Sequence, residues 1–370
     1  MSDKESSRLA ALGWDASWAA AFEAAAVFVH NREDGPLVPA RVIAEHRQRY
    51  DIGDADGERS AVVSGRFRHE ARGREHLPAV GDWVGTSQGS GDGTSVIRAV
   101  VPRRSAFVRK AAGDATSAQI VAANVDVVLI VTALPADINT RRLERYLALA
   151  WESGAMPVVV LTKSDLSDDV ESAVAEAALA APGVDVIAAS AVTGQGVDQL
   201  RSRLRPGSTS VLLGSSGVGK STLVNLLLGA EHQRTAAVRE DGRGKHTTTH
   251  RELMALENGA LLIDTPGMRE LQLWNADEGL GSVFADLEEL AEQCRFRDCQ
   301  HAGEPGCAVV VAVASGGLPA DRLDHWHQLR RELAYLERKQ DERAAAAARA
   351  QIRSLMRNVR AHIRNKRGGA

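Results

Sequence analysis

The sequence predicts a multidomain α/β protein with three parts: a small N-terminal β-barrel, a doubly wound parallel sheet and a helical C-terminal domain. Three observations support this fold class. Short alternating segments divided by glycine-containing turns occupy residues 37–112, as in small barrels. Continuous apolar runs then alternate with helical stretches, as in doubly wound sheets. All three cysteines are confined to the region between Cys294 and Cys307, in the helical part.

Length and composition indicate several globular domains. The chain has 370 residues, 44% hydrophobic content and a net charge of −3, so overall charge neither favours nor excludes nucleic acid. No apolar run reaches membrane-spanning length, and we expect a soluble cytoplasmic monomer without a membrane partner. The expected divisions are a helical extension at 1–36, the barrel at 37–112, the doubly wound domain at 113–280, the cysteine-containing domain at 281–340 and a basic helix or tail at 341–370.

Residues 1–36 predict a helix that packs on the following domain, because apolar side chains such as Leu9 and Trp18 recur at helical spacing. The barrel carries scattered basic side chains. These are Arg66, Arg68, Arg72, Arg74, Arg103, Arg104, Arg109 and Lys110. A basic face on a five-stranded barrel suits RNA or a single strand, but a solvated rim on a structural barrel is equally compatible.

A phosphate-binding loop follows a buried strand. Gly214–Ser221 matches G-x-x-x-x-G-K-[ST], preceded by Val211–Leu213 and followed by a helical stretch, which is the context that the motif requires. Backbone N–H groups and the helix start would hold phosphate oxygens, Lys220 would reach the β- and γ-phosphates, and the Ser221 hydroxyl would bind Mg²⁺. The expected contacts are Gly214, Ser215, Ser216, Gly217, Val218, Gly219, Lys220, Ser221 and Thr222.

A base-reading motif follows another buried strand. Thr162-Lys163-Ser164-Asp165 comes after Pro157–Leu161 and is close to the N-K-x-D of GTPases. An aspartate at Asp165 can accept both N1–H and N2–H of guanine, which adenine does not offer, and Lys163 can lay its aliphatic stem along the base. Ser190-Ala191 ends the strand Val184–Ala188 and matches the GTPase element that supports the base through a main-chain N–H.

The γ-phosphate sensor is expected at Asp264-Thr265-Pro266-Gly267, a D-x-x-G sequence after a buried strand. Asp264 would act on Mg²⁺ through water and the Gly267 N–H would contact the γ-phosphate. In the polar stretch Gly242–Thr249, a threonine would complete the Mg²⁺ shell. Met268 stands where many GTPases carry a water-orienting glutamine, so His246 is a candidate substitute, although an exposed loop histidine fits the residues slightly better.

The order of these motifs differs from that of ordinary GTPases, in which the phosphate loop comes first. Here Asp165 and Ser190-Ala191 precede Gly214–Ser221 and Asp264–Gly267. The same fold results if the chain is circularly permuted. The segment after Gly267 then leads directly into the C-terminal domain, so nucleotide state can be transmitted to whatever that domain contacts.

The C-terminal domain contains a candidate zinc set. Cys294, Cys299, His301 and Cys307 have the spacing C-x₄-C-x-H-x₅-C, and three thiolates with one imidazole make a closed tetrahedral site, which predicts a structural role. Beyond Glu342 the chain has no acidic residue, and arginines recur every three or four positions from Arg349 to Arg367. This face favours an RNA backbone over a solvated or membrane-surface helix.

From about residue 37 to 340 the chain resembles the ribosome small-subunit-dependent GTPase A family (RsgA, also called YjeQ). The residues that carry the resemblance are Val80–Val84, Ala123–Asp126, the permuted motif order, the His246–Thr249 run, and the zinc motif with Glu304–Val309. The resemblance implies an OB-fold barrel, a circularly permuted GTPase domain and a zinc-binding C-terminal domain. It also implies binding to the small ribosomal subunit and its rRNA late in assembly, with hydrolysis of GTP to GDP stimulated by that subunit.

The resemblance also refines the site. It favours Thr248 over Thr247 as the Mg²⁺ ligand and makes His246 a catalytic group beside Lys220. Thr162 departs from the pattern, because the usual asparagine contacts guanine N7 and braces the phosphate loop; we expect lower affinity, with guanine selectivity kept by Asp165. Two other functions stay open: an RNA-binding protein whose nucleotide site never turns over, and a small-molecule kinase. The intact Lys220 and Asp165 weigh against them.

Overall fold

The protein is described by a computed structural model. It covers residues 3–29, 36–71, 73–88, 93–110, 118–134, 138–238, 251–264, 277–335 and 338. These residues form two compact units, which are described separately. The first contains the described residues up to 264 together with 278–283, and the second contains Asp277 and the described residues from 284 onward. Within the ranges that the structure covers, no helix has the length and apolarity needed to cross a membrane.

Two helices open the first unit, α1 (Asp3–Ala11) and α2 (Ala16–Val29). Leu9 and Trp18 are buried in one cluster with Trp83 and Val101 of the following domain. The Trp14 ring meets the Trp83 ring edge-on at 4.6 Å between centroids. The prediction that the N-terminal segment is helical and packs on the next domain is therefore confirmed for the described residues.

The barrel is closed by five strands. They are β1 (Val38–Glu45), β2 (Tyr50–Gly53), β3 (Glu58–Val63), β4 (Trp83–Gln88) and β5 (Ser95–Val100), with α3 (Gly65–Glu70) after β3. The pairs β1–β2, β2–β3, β4–β5 and β1–β4 are antiparallel, and β3–β5 is parallel. The inward-facing Val42, Ile52 and Ile97 are fully buried, as the alternating pattern predicts. Strand β2 could not be predicted from the sequence, because four residues between turns show too little alternation.

A hairpin follows the barrel, formed by β6 (Ala106–Lys110) and β7 (Ala118–Ala123) in antiparallel pairing. The residue types from Ala111 to Gln119 predict a loop, whereas β7 already begins at Ala118. The run of small residues at this point gives no apolar alternation, so the start of the strand was not visible in the pattern.

The doubly wound sheet continues the first unit. Its strands are β8 (Val127–Ala133), β9 (Met156–Thr162), β10 (Asp185–Ala188), β11 (Thr209–Leu213), β12 (Glu252–Ala255) and β13 (Leu261–Asp264). Their spatial order is β10-β9-β8-β11-β13-β12, with β12 antiparallel to β13 and the other pairs parallel. Strand β12 also pairs with β1 at Ala44 and Glu252, which joins this sheet to the barrel.

Helices connect the strands of the sheet. They are α4 (Thr140–Glu152), α5 (Val170–Ala180), α6 (Val197–Arg203) and α7 (Lys220–Val238), which is interrupted at Gly229. Helix α8 (Asp277–Val283) comes after the last strand. Asn139 and Asp169 cap α4 and α5 by accepting backbone N–H bonds. The buried core includes Leu129, Val160 and Leu212 of neighbouring strands, so the continuous apolar runs are confirmed as buried parallel strands.

The second unit is helical. It contains α9 (Ala285–Ala291), α10 (Ala308–Ala314) and α11 over residues 320–335. Arg322 holds Asp286 through two hydrogen bonds of 2.7 and 2.8 Å and covers the Phe284 ring at 4.8 Å. This bidentate contact connects α11 with α9 beside the buried side chains of Phe284 and Leu329.

Candidate nucleotide site and candidate metal centre

Three of the predicted motifs lie at one edge of the doubly wound sheet. Strands β9, β11 and β13 run parallel with one another through β8 and β11, so their carboxyl ends share that edge. Thr162 ends β9, Gly214 follows β11, and Asp264 ends β13. Ligands of such sheets bind beyond the carboxyl ends of the strands, and the fold therefore gathers chain segments that are far apart in sequence.

The phosphate loop has the backbone that its glycines predict. Gly214 has φ 151°, and a Cβ there would lie 2.4 Å from the Val131 carbonyl oxygen, so only glycine fits this turn. Lys220 begins α7, and its Nζ donates to the carbonyls of Gly214 at 2.7 Å and Ser215 at 2.5 Å. The loop thus wraps around the Lys220 ammonium group at the start of α7. Because the ammonium and the N-terminus of the helix are both positive, this site suits an anion such as phosphate.

The end of β9 is tied to this loop. Thr162 Oγ1 lies 2.5 Å from the Val218 carbonyl oxygen, and Lys163 Nζ donates to the Gly217 carbonyl at 3.0 Å. Lys163 itself has the left-handed φ of 57°. These contacts bring the predicted base-reading segment directly beside the predicted phosphate loop.

Ser190 orients the exposed carboxylate of Asp165. The Ser190 hydroxyl donates to Asp165 Oδ1 and accepts the N–H groups of Val192 at 3.2 Å and Thr193 at 3.1 Å. Ser190 is fully buried, whereas Asp165 and the neighbouring Ala191 are exposed. The sequence assigned the Ser190-Ala191 element only a main-chain role, so the side-chain contact was missed; the signal for it was a serine at the strand end, which alone is weak.

The remaining predicted nucleotide contacts divide into two groups. Ser164 is buried and its N–H donates to the Ala189 carbonyl at 3.3 Å, while Asp264 ends β13 with a pKa raised by burial. His246, Thr248 and Gly267 lie outside the described residues, and their roles stay predictions.

The four predicted metal ligands come together in the second unit. Their ligand atoms all lie within 4.8 Å of one another. His301 Nδ1 is 3.6 Å from Cys294 Sγ and 3.4 Å from Cys307 Sγ, and the two sulfurs are 3.8 Å apart. A tetrahedral ion with metal–sulfur bonds of about 2.3 Å separates its sulfur ligands by about 3.8 Å. The cluster of Cys294, Cys299, His301 and Cys307 therefore fits a tetrahedral metal.

Neighbouring groups hold these ligands in place. Glu304 accepts the N–H of Gln300 at 2.9 Å and of Ala302 at 2.7 Å, which fixes the two residues that flank His301. Hydrogen bonds from backbone N–H groups, including its own, lower the pKa of Glu304 to about 2. Burial lowers the pKa of His301, which favours the neutral imidazole that binds a metal.

A joint between barrel and sheet was also missed by the sequence reasoning. The Asn124 amide donates to the Gly81 carbonyl at 3.1 Å, and a Cβ on Gly81, which has φ 94°, would lie 2.1 Å from the Ala123 carbonyl oxygen. The Asp126 carboxylate accepts the Thr209 N–H at 2.7 Å. The segments 80–84 and 123–126 are thus in contact with each other, and the second also contacts the first residue of β11. Their separation along the chain does not reveal this proximity.

Comparisons with known proteins agree with this geometry. Residues 100–274 match the model described as RsgA GTPase, and residues 209–344 match the model of a 50S ribosome-binding GTPase. The small ribosomal subunit biogenesis GTPase RsgA of Opitutus terrae is 46% identical over 96% of this chain and 98% of its own length. The chain belongs to the RsgA GTPase family.

Another relative and two solved structures match most of the chain. RsgA of Streptomyces coelicolor is 43% identical over 98% of this chain and 97% of its own length. The crystal structure of YjeQ from Thermotoga maritima superposes with a TM-score of 0.61 at 27% identity, over 80% of this chain and 99% of that one. A second solved structure, YloQ, described as a circularly permuted GTPase, has a TM-score of 0.58 at 26% identity, over 82% of this chain and 98% of that one.

Family membership confirms the predicted fold class and activity. As an RsgA GTPase, the chain is a GTP hydrolase with a barrel, a circularly permuted phosphate-loop domain and a helical domain. In the structure β8, β9 and β10 precede β11 and its phosphate loop, which is the permuted order. The GTPase domain implies GTP with Mg²⁺, and the four-residue cluster can hold a metal.

Proposed function

We propose that this RsgA family chain binds the small ribosomal subunit and its rRNA, assists late maturation of the subunit, and hydrolyses GTP with stimulation by it. The observation that carries the proposal is the juxtaposition of base-reading and phosphate-binding segments, shown by the 3.0 Å bond between Lys163 Nζ and the Gly217 carbonyl. Near-full-length relatives named small ribosomal subunit biogenesis GTPase support the choice of subunit.

The proposed residue roles follow the sequence motifs, and the geometry supports those whose residues the structure describes. Asp165, oriented by Ser190, reads the N1–H and N2–H edge of guanine, and Lys220 stabilises charge on the transferring phosphoryl group. Nucleotide contacts are assigned to Thr162, Lys163, Ser164, Asp165, Ser190, Ala191, Gly214–Thr222, Asp264 and Gly267. Magnesium is assigned to Ser221, Thr248 and Asp264, and zinc to Cys294, Cys299, His301 and Cys307.

His246 is proposed to orient the attacking water. Met268 has no group that can hold a water molecule in line with the γ-phosphate, and His246 is the histidine at the family position. Without a partner, GTPases of this kind turn over on the order of 10⁻⁴ per second, and partners add up to ~10⁵-fold. We therefore expect slow intrinsic hydrolysis and strong acceleration by small subunits.

Zinc is proposed as the resident metal of the second unit. Three thiolates with one imidazole suit zinc better than hard cations, which prefer oxygen. Since all four positions are filled by protein, the ion would stabilise the fold and take no part in hydrolysis. The arginine-rich segment 341–370, outside the described residues, is proposed to contact rRNA phosphates.

The decisive experiment measures GTP turnover with isolated small subunits, isolated large subunits and whole ribosomes. Stimulation by small subunits and not by large ones is expected. His246→Ala should lose the stimulated rate while His250→Ala, in the same segment, keeps it. Stimulation by large subunits alone would contradict the choice of subunit, and a His246→Ala protein with full stimulated turnover would remove that residue from the mechanism.

Competition between GTP and ATP separates the remaining alternatives. A kinase of the same loop type would bind ATP at least as well as GTP, whereas Asp165 predicts preference for GTP. An RNA-binding protein without productive turnover would bind GTP and release no phosphate in the presence of small subunits.

A further inference from the structure

Thr162, the last residue of β9, stands where the N-K-x-D motif of GTPases usually has asparagine. It is buried, with 7% of its surface exposed. Its hydroxyl lies 2.5 Å from the Val218 carbonyl oxygen of the phosphate loop and 3.2 Å from the Thr132 carbonyl oxygen at the end of β8. Its Oγ1 would also stand 3.5 Å from a Cβ on Gly219. The side chain therefore fills the space between two strand ends and the loop.

A count of donors limits what Thr162 can do. A threonine hydroxyl has a single proton, and both of its neighbours are carbonyl oxygens, which only accept. The proton is therefore committed to the protein, principally to the closer Val218 carbonyl. An asparagine amide at this position has two N–H donors and can serve the loop and a base nitrogen together; the threonine has none left for the base.

We infer that Thr162 is a positioning residue that holds the phosphate loop in its binding conformation, and that guanine is selected through Asp165 without a side-chain donor from position 162 to N7. The inference rests on the proposed function, since it requires a guanine nucleotide at this site. The hydrogen bond from the Thr162 hydroxyl to the Val218 carbonyl, here called the brace, acts on the loop that holds the phosphates. Its loss weakens GTP, GDP and other nucleotides by the same factor, whatever their base.

Two variants test the brace. Thr162→Val keeps the shape but leaves the Val218 carbonyl without its donor, and nucleotide affinity should fall about tenfold for GTP, GDP and xanthosine triphosphate alike. Thr162→Ser keeps the hydroxyl and should bind all three within about twofold of the natural protein. Titrations of the full-length chain with fluorescent analogues give these constants, and thermal unfolding of each variant without nucleotide confirms that it is folded.

A base analogue tests, on the natural protein, the claim that no side chain at position 162 donates to guanine N7. 7-deaza-GTP lacks the N7 acceptor, and the natural chain should bind it within about twofold of GTP. Thr162→Asn restores an amide donor and should bind GTP about fivefold more tightly than 7-deaza-GTP. The natural protein discriminating against 7-deaza-GTP by fivefold or more would overturn the inference, as would a Thr162→Val protein that binds GTP normally.

The outcomes separate this inference from the proposed function. A chain that binds GTP tightly and responds to small subunits, yet is indifferent to Thr162→Val, loses only the brace. A chain that binds neither GTP nor 7-deaza-GTP fails at the proposed function itself, and the inference falls with it.

Discussion

Arg41 of the barrel donates a hydrogen bond of 2.7 Å to the hydroxyl of Thr209, the first residue of the strand that leads into the phosphate loop. The guanidinium is almost fully buried, with 2% exposure. It also donates to the carbonyls of Gly81 at 3.2 Å and of Leu12 in the N-terminal segment. One side chain thus makes hydrogen bonds to the N-terminal segment, to the barrel and to the nucleotide-binding sheet.

Replacing Arg41 by methionine should lower the free energy of unfolding of the first unit by about 3 kcal/mol. The Leu12 carbonyl and the Thr209 hydroxyl would lose this donor, the Gly81 carbonyl would keep only the Asn124 amide, and the nearby carboxylates of Asp82 and Asp126 would lose a positive neighbour. Urea unfolding followed by tryptophan fluorescence measures the change, since Trp83 lies against this guanidinium at 5.4 Å.

The matched control is Arg66→Met on α3. Arg66 and Glu70 form an exposed ion pair of 2.8 Å one helical turn apart, and such pairs contribute about 0.3–0.5 kcal/mol. If both substitutions change stability by the same small amount, the hydrogen bonds of Arg41 do not stabilise the contact between barrel and sheet.

The sheet and its motifs were predictable because they depend on short stretches of chain. The buried runs at β8, β9 and β11 are continuous apolar sequences, and the Gly214 turn needs the backbone that glycine alone allows. Each signal is local, so it can be read without knowing the fold. The metal cluster was predictable for a different reason: thiolates and imidazole at close spacing have few other uses.

The contact of Arg41 with Thr209 was not predictable from the sequence, because it joins residues that are far apart along the chain. Arg41 and Thr209 are 168 positions apart, and a basic residue in a barrel strand is indistinguishable by pattern from one on a nucleic-acid face. Arg103 shows the same limit. The sequence analysis grouped Arg103 with the basic residues that suit RNA. In the structure it donates hydrogen bonds of 2.7 and 2.8 Å to the buried Asp82 carboxylate and a further one to the Glu75 carbonyl. Its role is therefore structural.

Asp165→Asn should reverse the base preference of the chain. The amide keeps one acceptor oxygen and replaces the other by an NH₂ donor, so guanine loses one hydrogen bond and its exocyclic NH₂ faces another donor, whereas xanthine, with a carbonyl in place of that NH₂, gains a hydrogen bond. We expect GTP affinity to fall at least 100-fold, about 3 kcal/mol, while xanthosine triphosphate becomes the preferred ligand in competition titrations.

Asp168→Asn is the control for this change, since Asp168 is exposed three residues further along the same loop and should leave the base preference as it is. An Asp165→Asn chain that still prefers GTP would show that the base is read elsewhere. Ser190→Ala should weaken GTP in the same direction but less, because the carboxylate stays and only its orientation by the Ser190 hydroxyl is lost.

Removing a metal ligand should unfold the second unit. His301→Asn leaves three thiols that no longer close the tetrahedral site, and in small metal domains the binding free energy is folding free energy. Metal content should fall from one ion per chain to none, and the helical signal of residues 284–335 should fall with it. His69→Asn, an exposed barrel histidine, should change neither; full metal content in His301→Asn would exclude this imidazole as a ligand.

Glu304→Gln should weaken metal binding without removing a ligand. The carboxylate accepts the N–H groups of Gln300 and Ala302 with separate oxygens, and these two residues hold His301 in its left-handed conformation, φ 57°. A glutamine keeps one acceptor oxygen and turns an NH₂ group toward the other N–H, so one bond is lost and one contact becomes repulsive. Groups that orient metal ligands typically contribute 10- to 100-fold in affinity, and we expect about tenfold here.

Competition with a chromophoric chelator measures that affinity on the intact chain. Glu292→Gln, an exposed acidic residue at the end of α9, removes the same charge from the same unit and controls for simple attraction of the cation. If Glu292→Gln weakens metal binding as much as Glu304→Gln does, the effect is one of net charge. A loss confined to Glu304→Gln means that the loop around His301 is held in its ligand geometry by the two bonds to this carboxylate.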